Sequence, residues 1–448
     1  MLLCFISGIL TGFTFVFKEI SFISLITLIP FITSVEKGKK SFLKGAVFAS
    51  SLNIVTMSFL FNMHPMEFMG LTGFKSLGTV FLMYFGIILF EGLLGGLFTY
   101  IFSKYVKNIW FFPLCYSIYE FIIGLGEFGL TLSNLYLPWY NNLAFIQSAR
   151  FFSSYFLTGL IVLINVLIYK FIFLKNIKYL YLAILIFALN VSVGALRLNI
   201  YNPEDFKYDI ALIQGNLSSL EKWENNSLRK SFEIYQDLTE EVKQKYDVDA
   251  VVWPETVINS EIYPESFWYK KLSSLSKEEN VEIYAGCFYK EEDGYYNSMI
   301  AFNKKGKEYN DVYHKRHLIP FAENEYFFGN GLKEGKDATV INTDSGKIGG
   351  LICIDSAYPC LSYKTNSNEC DYFLVITNDS WFTDSFGVEN HFAHSVFRAV
   401  ENNIYVLRAG NTGITGVITP KGEVKGKIPP IKRGYTVVKG GKVTSYEK

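Results

Sequence analysis

The residue types in this 448-residue sequence that could do covalent chemistry gather around one cysteine, one lysine and a few carboxylates. A cysteine nucleophile needs a lowered pKa or a base to take its proton, and a donor for the oxyanion that develops on the substrate. Cys353 ends the apolar run Ile348-Gly349-Gly350-Leu351-Ile352. Taken alone, that placement suits a core thiol as well as a nucleophile. The stretch Tyr313-His314-Lys315-Arg316-His317-Leu318-Ile319-Pro320-Phe321-Ala322-Glu323 adds cations and a carboxylate. A solvated basic run would explain Lys315, but the Leu-Ile-Pro-Phe that follows directs the segment into the fold. Glu255 comes just after Val251-Val252-Trp253-Pro254, and Asn378-Asp379 just after Leu374-Val375-Ile376-Thr377. No Gly-x-Ser-x-Gly occurs, so a serine triad has little support. No Cys-x-x-Cys or Cys/His ligand spacing occurs among the six cysteines, so no metal site is expected. Cys4 and Cys115 sit in apolar runs as small filler, Cys287 reads as core, and Cys360 and Cys370 leave a disulfide open.

The elements that must position these residues are short. Strand candidates are Tyr208–Gln214, Ala250–Trp253, Val281–Cys287, Ser298–Phe302, Ile348–Ile354, Tyr372–Thr377 and Tyr405–Arg408. Polar stretches alternate with them, which is the signature of α/β layering. Leu228, Phe232, Tyr235, Leu238 and Val242 repeat every three to four residues, so 227–246 is an amphipathic helix. A second helix is expected from Asn390 to Asn402. Glu255, Cys353 and Asn378 all fall past the carboxyl ends of strands, where open α/β sheets place their sites.

The first 200 residues are different in kind. They hold 13 Lys or Arg and 6 Asp or Glu, a net +7, against −7 for the remainder. The zero net charge of the chain is a cancellation and gives no support to nucleic-acid binding. Seven apolar runs are candidate membrane helices: Met1–Phe17, Ser21–Val35, Phe42–Met63, Val80–Phe102, Trp110–Gly124, Phe151–Phe173 and Tyr179–Leu196. Met1–Phe17 is read as a span rather than a signal peptide, since no cation precedes it and further spans follow. Lys37, Lys39, Lys40, Lys44, Lys104, Lys107, Lys170, Lys175 and Lys178 mark one side as cytoplasmic. Seven spans then carry everything after Leu196 to the outer side. Glu91, Glu120 and Glu127 lie in or beside the spans, as functional acids or as hydrogen-bonded groups of the bundle. Leu125–Arg150, with Leu137-Pro138-Trp139-Tyr140, reads as an outer loop at headgroup level. The domain division expected is 1–200 and 201–448.

Glu255 after Trp-Pro, Lys315 before Leu-Ile-Pro-Phe, and Cys353 after Ile352 resemble, in that order, the Glu-Lys-Cys triad of the nitrilase (carbon–nitrogen hydrolase) superfamily. With the multispan half, the chain resembles the apolipoprotein N-acyltransferase family of bacterial envelopes. Gln214-Gly215-Asn216, Lys222-Trp223, Tyr296-Asn297-Ser298, Asn378-Asp379-Ser380-Trp381-Phe382, Arg398-Ala399-Val400-Glu401 and Asn411-Thr412-Gly413-Ile414 extend the match along the second half. Tyr119-Glu120-Phe121 and Pro138-Trp139 are fainter echoes in the first. The resemblance implies an αββα sandwich after the membrane helices. It implies Cys353 as the nucleophile that becomes a thioester, Glu255 as general base and Lys315 as the oxyanion's partner, its charge also favouring thiolate. Glu323 would support the base or Lys315. Trp223 would lie near the acyl or acceptor site, and Asp355 would stand where the family has a glutamate.

The sequence departs from the family at several points. Ile354-Asp355 replaces Tyr-Glu after the cysteine, and Ala322 and Asn324 flank Glu323 in place of Gly and Tyr. The polar, strand-like Ile428–Lys448 stands where a last membrane helix is common, so a catalytic domain tethered at one end is expected. The implied reaction moves a fatty acyl chain from a phospholipid, through the Cys353 thioester, to the α-amino group of a lipid-modified cysteine of an apolipoprotein. No metal or organic cofactor is required. The implied location is a bacterial cytoplasmic (inner) membrane, with the catalytic domain on the periplasmic or outer side. Two rivals are a membrane-tethered amidase acting on a small C–N substrate and a non-catalytic envelope scaffold. The intact triad argues against the scaffold.

Overall fold

The computed structural model describes residues 1–36, 39–67, 70–126, 128–129, 131–223, 227–320, 322–323 and 331–448. Lys37, Glu127, Phe321, Asn324 and the side chain of Trp223 lie outside the described residues. The chain divides into two compact units, 1–202 with 385–393, and 203–384 with 394–448.

The first unit is helical. Its main segments are α1 (Leu2–Val16), α2 (Lys18–Glu36), α3 (Ser41–Thr56), α4 (Gly73–Val106), α5 (Ile109–Ile123), α6 (Ser154–Leu174) and α7 (Ile177–Ile200). Helices α2, α4, α6 and α7 are long and apolar enough to cross a membrane, while α1 and α5 are shorter apolar helices. The span expected at Phe42–Met63 is an α-helix only to Thr56 and then a 3-10 turn, Ser58–Met63. Small residues set how closely the helices pack. A Cβ on Gly8 would strike Ser51 and Phe48 of α3, and one on Gly95 would lie 2.5 Å from Ala49 Cβ. Such contacts let backbones approach where lipid supplies no hydrophobic drive between helices.

Backbone polar groups have no water to turn to in a bilayer core, so α2 needs help. It is a 3-10 turn to Ile23, a short α-turn to Thr27, and an α-helix only from Ile29. Asn165 of α6 covers the break. Its amide donates to Ser24 O at 2.8 Å and its carbonyl accepts from Leu28 N at 3.0 Å. Glu120 is tied in the same way. It accepts from Leu135 N at 2.8 Å and from the Thr158 hydroxyl at 2.5 Å, which fastens the segment leading to Leu137-Pro138-Trp139. Trp139 Nε1 in turn donates to Ser24 Oγ at 3.0 Å.

The second unit contains two sheets. One runs β14 (Lys442–Glu447), β13 (Gly434–Lys439), β1 (Ile210–Gln214), β2 (Ala250–Val252), β4 (Glu282–Glu291), β5 (Gly294–Phe302) and β6 (Tyr313–His314), with β3 (Ile258–Ile262) paired to β4. The other runs β12 (Val424–Ile428), β11 (Thr415–Ile418), β10 (Tyr405–Gly410), β9 (Tyr372–Thr377), β8 (Gly346–Ile352) and β7 (Val340–Thr343). The strands that matter for the site are β1, β2, β4, β5 and β6 in the first. In the second they are β8, β9 and β10. β1, β2 and β4 are parallel, as are β8, β9 and β10. Alternate side chains decide the layering, because successive residues of a strand face opposite ways. Leu212, Val252, Tyr284, Ile348, Leu374 and Leu407 meet in one core between the sheets. Ala211, Val251 and Ile283 face the other way, onto Phe232, Tyr235 and Leu238 of α9 (Ser227–Tyr246) and Leu272 of α10 (Phe267–Glu278). A short helix α8 (Ser219–Trp223) precedes α9.

Against the second sheet lie α11 (Pro359–Asn366) and the latter half of α12 (Phe386–Asn402). A Cβ on Gly349 of β8 would meet Thr365 of α11 at 2.9 Å, and Arg408 of β10 donates to Ser395 of α12 at 3.1 Å. The result is the αββα sandwich expected. Each fully buried Leu, Ile or Phe between its layers is worth roughly 1.5–3 kcal/mol of transfer free energy. The predicted strand through Ile354 stops at Ile352, because Cys353 has φ +52° and cannot continue an extended ladder.

Candidate active site

Three of the expected residues converge at the carboxyl ends of the strands. β2 ends at Val252, and the chain turns through Trp253 and Pro254 to place Glu255 at 5% exposure. Trp253 anchors that turn, its N–H donating to Tyr284 O at 2.8 Å and its Nε1 to Thr239 Oγ1 at 3.0 Å. β6 hands on directly to Lys315, whose backbone N–H still bonds Asn297 O at 2.8 Å. Lys315 Nζ lies 3.3 Å from Glu255 Oε1 and 2.8 Å from Glu323 Oε2. Lys315 is 1% exposed. Burial disfavours its charge, but the carboxylates of Glu323 and Glu255 outweigh that and hold its pKa well above the ordinary lysine value.

Cys353 begins a 3-10 turn directly after β8, in the left-handed region that a side chain rarely occupies. Such strain is characteristic of functional turns. Burial and the nearby Glu255 carboxylate push its thiol up, Lys315 opposes them, and the Thr377 hydroxyl bonds it. Lys315 thus favours the thiolate, as expected of its charge, while burial and the Glu255 carboxylate prevail and leave the pKa raised. A thiol whose pKa is raised needs a base to take its proton if it is to attack a carbonyl.

Glu323, expected as support, accepts from Ile319 N at 2.8 Å and grips Lys315 with both oxygens. Asp355, the other acid expected to support the site or bind substrate, is held by donors of the protein itself. It is fully buried and accepts from Ile352 N at 3.1 Å, His317 N at 2.9 Å and the Tyr313 hydroxyl at 2.8 Å. It therefore ties the Cys353 turn to the Lys315 segment. Trp223 belongs to α8, and its side chain lies outside the described residues. Cys360 and Cys370 are free, so the open disulfide is not formed.

Several participants carry no role in the motifs that contain them. Asn297 Nδ2 donates to Glu255 Oε1 at 2.7 Å and to Glu323 Oε1 at 3.1 Å, bridging the two acids. Asn378 N donates to Glu255 Oε2 at 2.9 Å, joining the carboxyl ends of the two sheets. Asn411 holds Asn378 Oδ1 at 2.9 Å and Leu217 O at 2.7 Å. Lys222, 2% exposed, reaches the Glu255 carbonyl at 3.2 Å and Thr256 Oγ1 at 2.6 Å. Burial lowers its pKa to about 7, against the pull of Glu255. One Ser-His-Glu chain does exist, with Ser298 Oγ 2.7 Å from His314 Nδ1 and His314 Nε2 3.0 Å from Glu291. Ser298 is fully buried on β5, so the chain fastens β6 to β5 and offers no reachable hydroxyl.

A buried thiol, a carboxylate already shared with a lysine, and that lysine's ammonium can form and resolve a tetrahedral adduct at a carbonyl carbon. That site, at the mouth of an αββα sandwich, is the hallmark of an acyl-handling hydrolase. Residues 209–439, just over half the chain, match the carbon–nitrogen hydrolase family model, and the chain belongs to that family. Residues 7–167 match the N-terminal domain model of apolipoprotein N-acyltransferase. The chain is 29% identical over 346 residues to the apolipoprotein N-acyltransferase of Geobacter metallireducens, covering 71% of this chain and 65% of the relative. It is 28% identical over 330 residues to that of Thermotoga maritima, covering 70% and 61%. It thus spans less than two thirds of the length of these curated relatives. Among solved structures, Nit3 of Saccharomyces cerevisiae, a member of branch 10 of the nitrilase superfamily, is similar at 20% identity and a TM-score of 0.42. That likeness covers 54% of this chain and 89% of Nit3.

Proposed function

We propose that this protein is a membrane-bound N-acyltransferase of the apolipoprotein N-acyltransferase type. Its acyl donor would be a phospholipid and its acceptor the α-amino group of a lipid-modified N-terminal cysteine. The observation that carries the reading is the Glu255–Lys315–Cys353 arrangement in a chain that also has four helices fit to cross a membrane. Glu255 takes the Cys353 proton as sulfur attacks the ester carbonyl. Lys315, with a backbone N–H near Cys353, receives the oxyanion. The lysophospholipid alcohol leaves with the proton, and the acyl group stays as a thioester. In the second half Glu255 takes a proton from the acceptor amine, which attacks the thioester and restores the thiol. Trp223 would line the acyl or acceptor site. The +7 excess of the first 200 residues supports a cytoplasmic side for the segments bearing Lys39, Lys40, Lys44, Lys104 and Lys107 and an outer side for the catalytic domain.

The test uses purified full-length protein in detergent with phospholipid and a diacylglyceryl-cysteine peptide. Wild type forms a Cys353 thioester visible by mass spectrometry and an N-acylated peptide, while Cys353→Ala forms neither. Acylated peptide from Cys353→Ala would reject the mechanism. Turnover of small amides with none of phospholipid would favour the amidase reading.

A further inference from the structure

The Glu255 turn is held in place by a buried lysine outside the triad. Thr256 has φ +47°, a conformation that a β-branched residue adopts only when its surroundings impose it. From one side Gly286 of β4 makes room: a Cβ there would lie 2.6 Å from Glu255 Cα and 2.7 Å from Thr256 N. From the other side Lys222 Nζ grips the turn twice, at the Glu255 carbonyl and the Thr256 hydroxyl. Lys222 is itself fixed. Its N–H donates to Ser218 O at 3.0 Å, and its carbonyl accepts from Ser227 Oγ at 2.8 Å and Asn259 Nδ2 at 2.5 Å. Both partners of its ammonium are neutral oxygens. An ammonium buried against neutral oxygens is costly, and a methionine would fill the same space without that cost. The side chain therefore serves something other than packing.

We propose that Lys222 is a positioning residue for the general base, clamping the Glu255–Thr256 turn so that the Glu255 carboxylate stays between Lys315 and Asn378. The inference rests on Glu255 acting as the base. Glu255 Oε1 and Oε2 are each committed to a separate partner, Lys315 at 3.3 Å and Asn378 N at 2.9 Å. A small rotation of the turn would break one of them. Misplacement of a reacting group by about 1 Å can cost about 100-fold in rate.

The experiment compares Lys222→Met, Lys222→Arg and Thr256→Val in the full-length protein, reading kcat, KM for phospholipid and the rate of the thioester burst. Lys222→Met is expected to lower kcat and the burst rate by about 10- to 100-fold with KM within about twofold. Lys222→Arg restores part of the rate, since a cationic donor remains. Lys222→Met/Thr256→Val is no slower than Lys222→Met, because both changes remove one clamp. If Lys222→Met is not recovered folded, Lys222→Gln is read by the same criteria. A wild-type kcat, or a raised KM at unchanged kcat, would overturn the proposal. Glu255→Gln and Cys353→Ala run alongside. If they stay active, the proposed function itself fails. If they are dead while Lys222→Met is as active as wild type, only the clamp fails.

Discussion

Cys353 and Asp355 stand two residues apart and do opposite things. The left-handed backbone at Cys353 lifts its thiol out of the strand, while Asp355 turns inward and collects four donors from two segments. The carboxylate on a shorter arm than the family's glutamate still reaches Tyr313 and His317. Removing it leaves buried donors with no acceptor, which is costlier than never having had the group. Asp355→Ala is expected to destabilise the protein by about 3–5 kcal/mol, read as a lower denaturant midpoint. Asp355→Asn, which keeps an acceptor, should lose less. Equal midpoints for wild type and Asp355→Ala would show that the knot carries no stability. The types of the proposed catalytic residues were legible because each sits at a strand end flanked by a local motif. The parts of Asn297 and Asn378 were not legible, since their partner Glu255 lies 42 and 123 residues away from them and no local pattern marks such a pair.

Elements were legible where their periodicity was strong. The helix at 227–246 and the strand at 372–377 were expected with the bounds observed. β3 (Ile258–Ile262) and β7 (Val340–Thr343) were not expected, since Ile-Asn-Ser-Glu-Ile and Val-Ile-Asn-Thr are too polar or short to stand out until paired. In the first unit the apolar run at 21–35 suggested a span, but not that its helix is interrupted and repaired from outside. That repair makes α2 depend on α6. Asn165→Leu removes the donor and acceptor at Ser24 and Leu28, and the loss is expected to be about 1–2 kcal/mol. Thermal unfolding in detergent would show it as a lowered midpoint, with Asn165→Gln intermediate. An unchanged midpoint for Asn165→Leu would mean that the break at Leu28 needs no partner.

At the scale of the whole molecule, zero net charge joins a +7 segment to a −7 segment. The proposed orientation can be read with a native reporter. Cys360 is free and exposed, while Cys4, Cys287 and Cys353 are buried. A membrane-impermeant maleimide should label wild type in intact cells, and Cys360→Ser should lose that label. Labelling of Cys360 only after permeabilisation would put the catalytic domain in the cytoplasm. The amino-acid sequence by itself determined the apolar spans, the strand–helix alternation and the order of glutamate, lysine and cysteine. Apolar runs, short-period patterns and strand-end motifs are local and survive without a fold. Only the tertiary structure decided which groups meet: that Asn297 bridges two acids, that Asp355 serves the backbone, and that Lys222 grips the Glu255–Thr256 turn. Those roles depend on hydrogen bonds between distant segments, and such bonds are specified only once both sheets and their turns are packed.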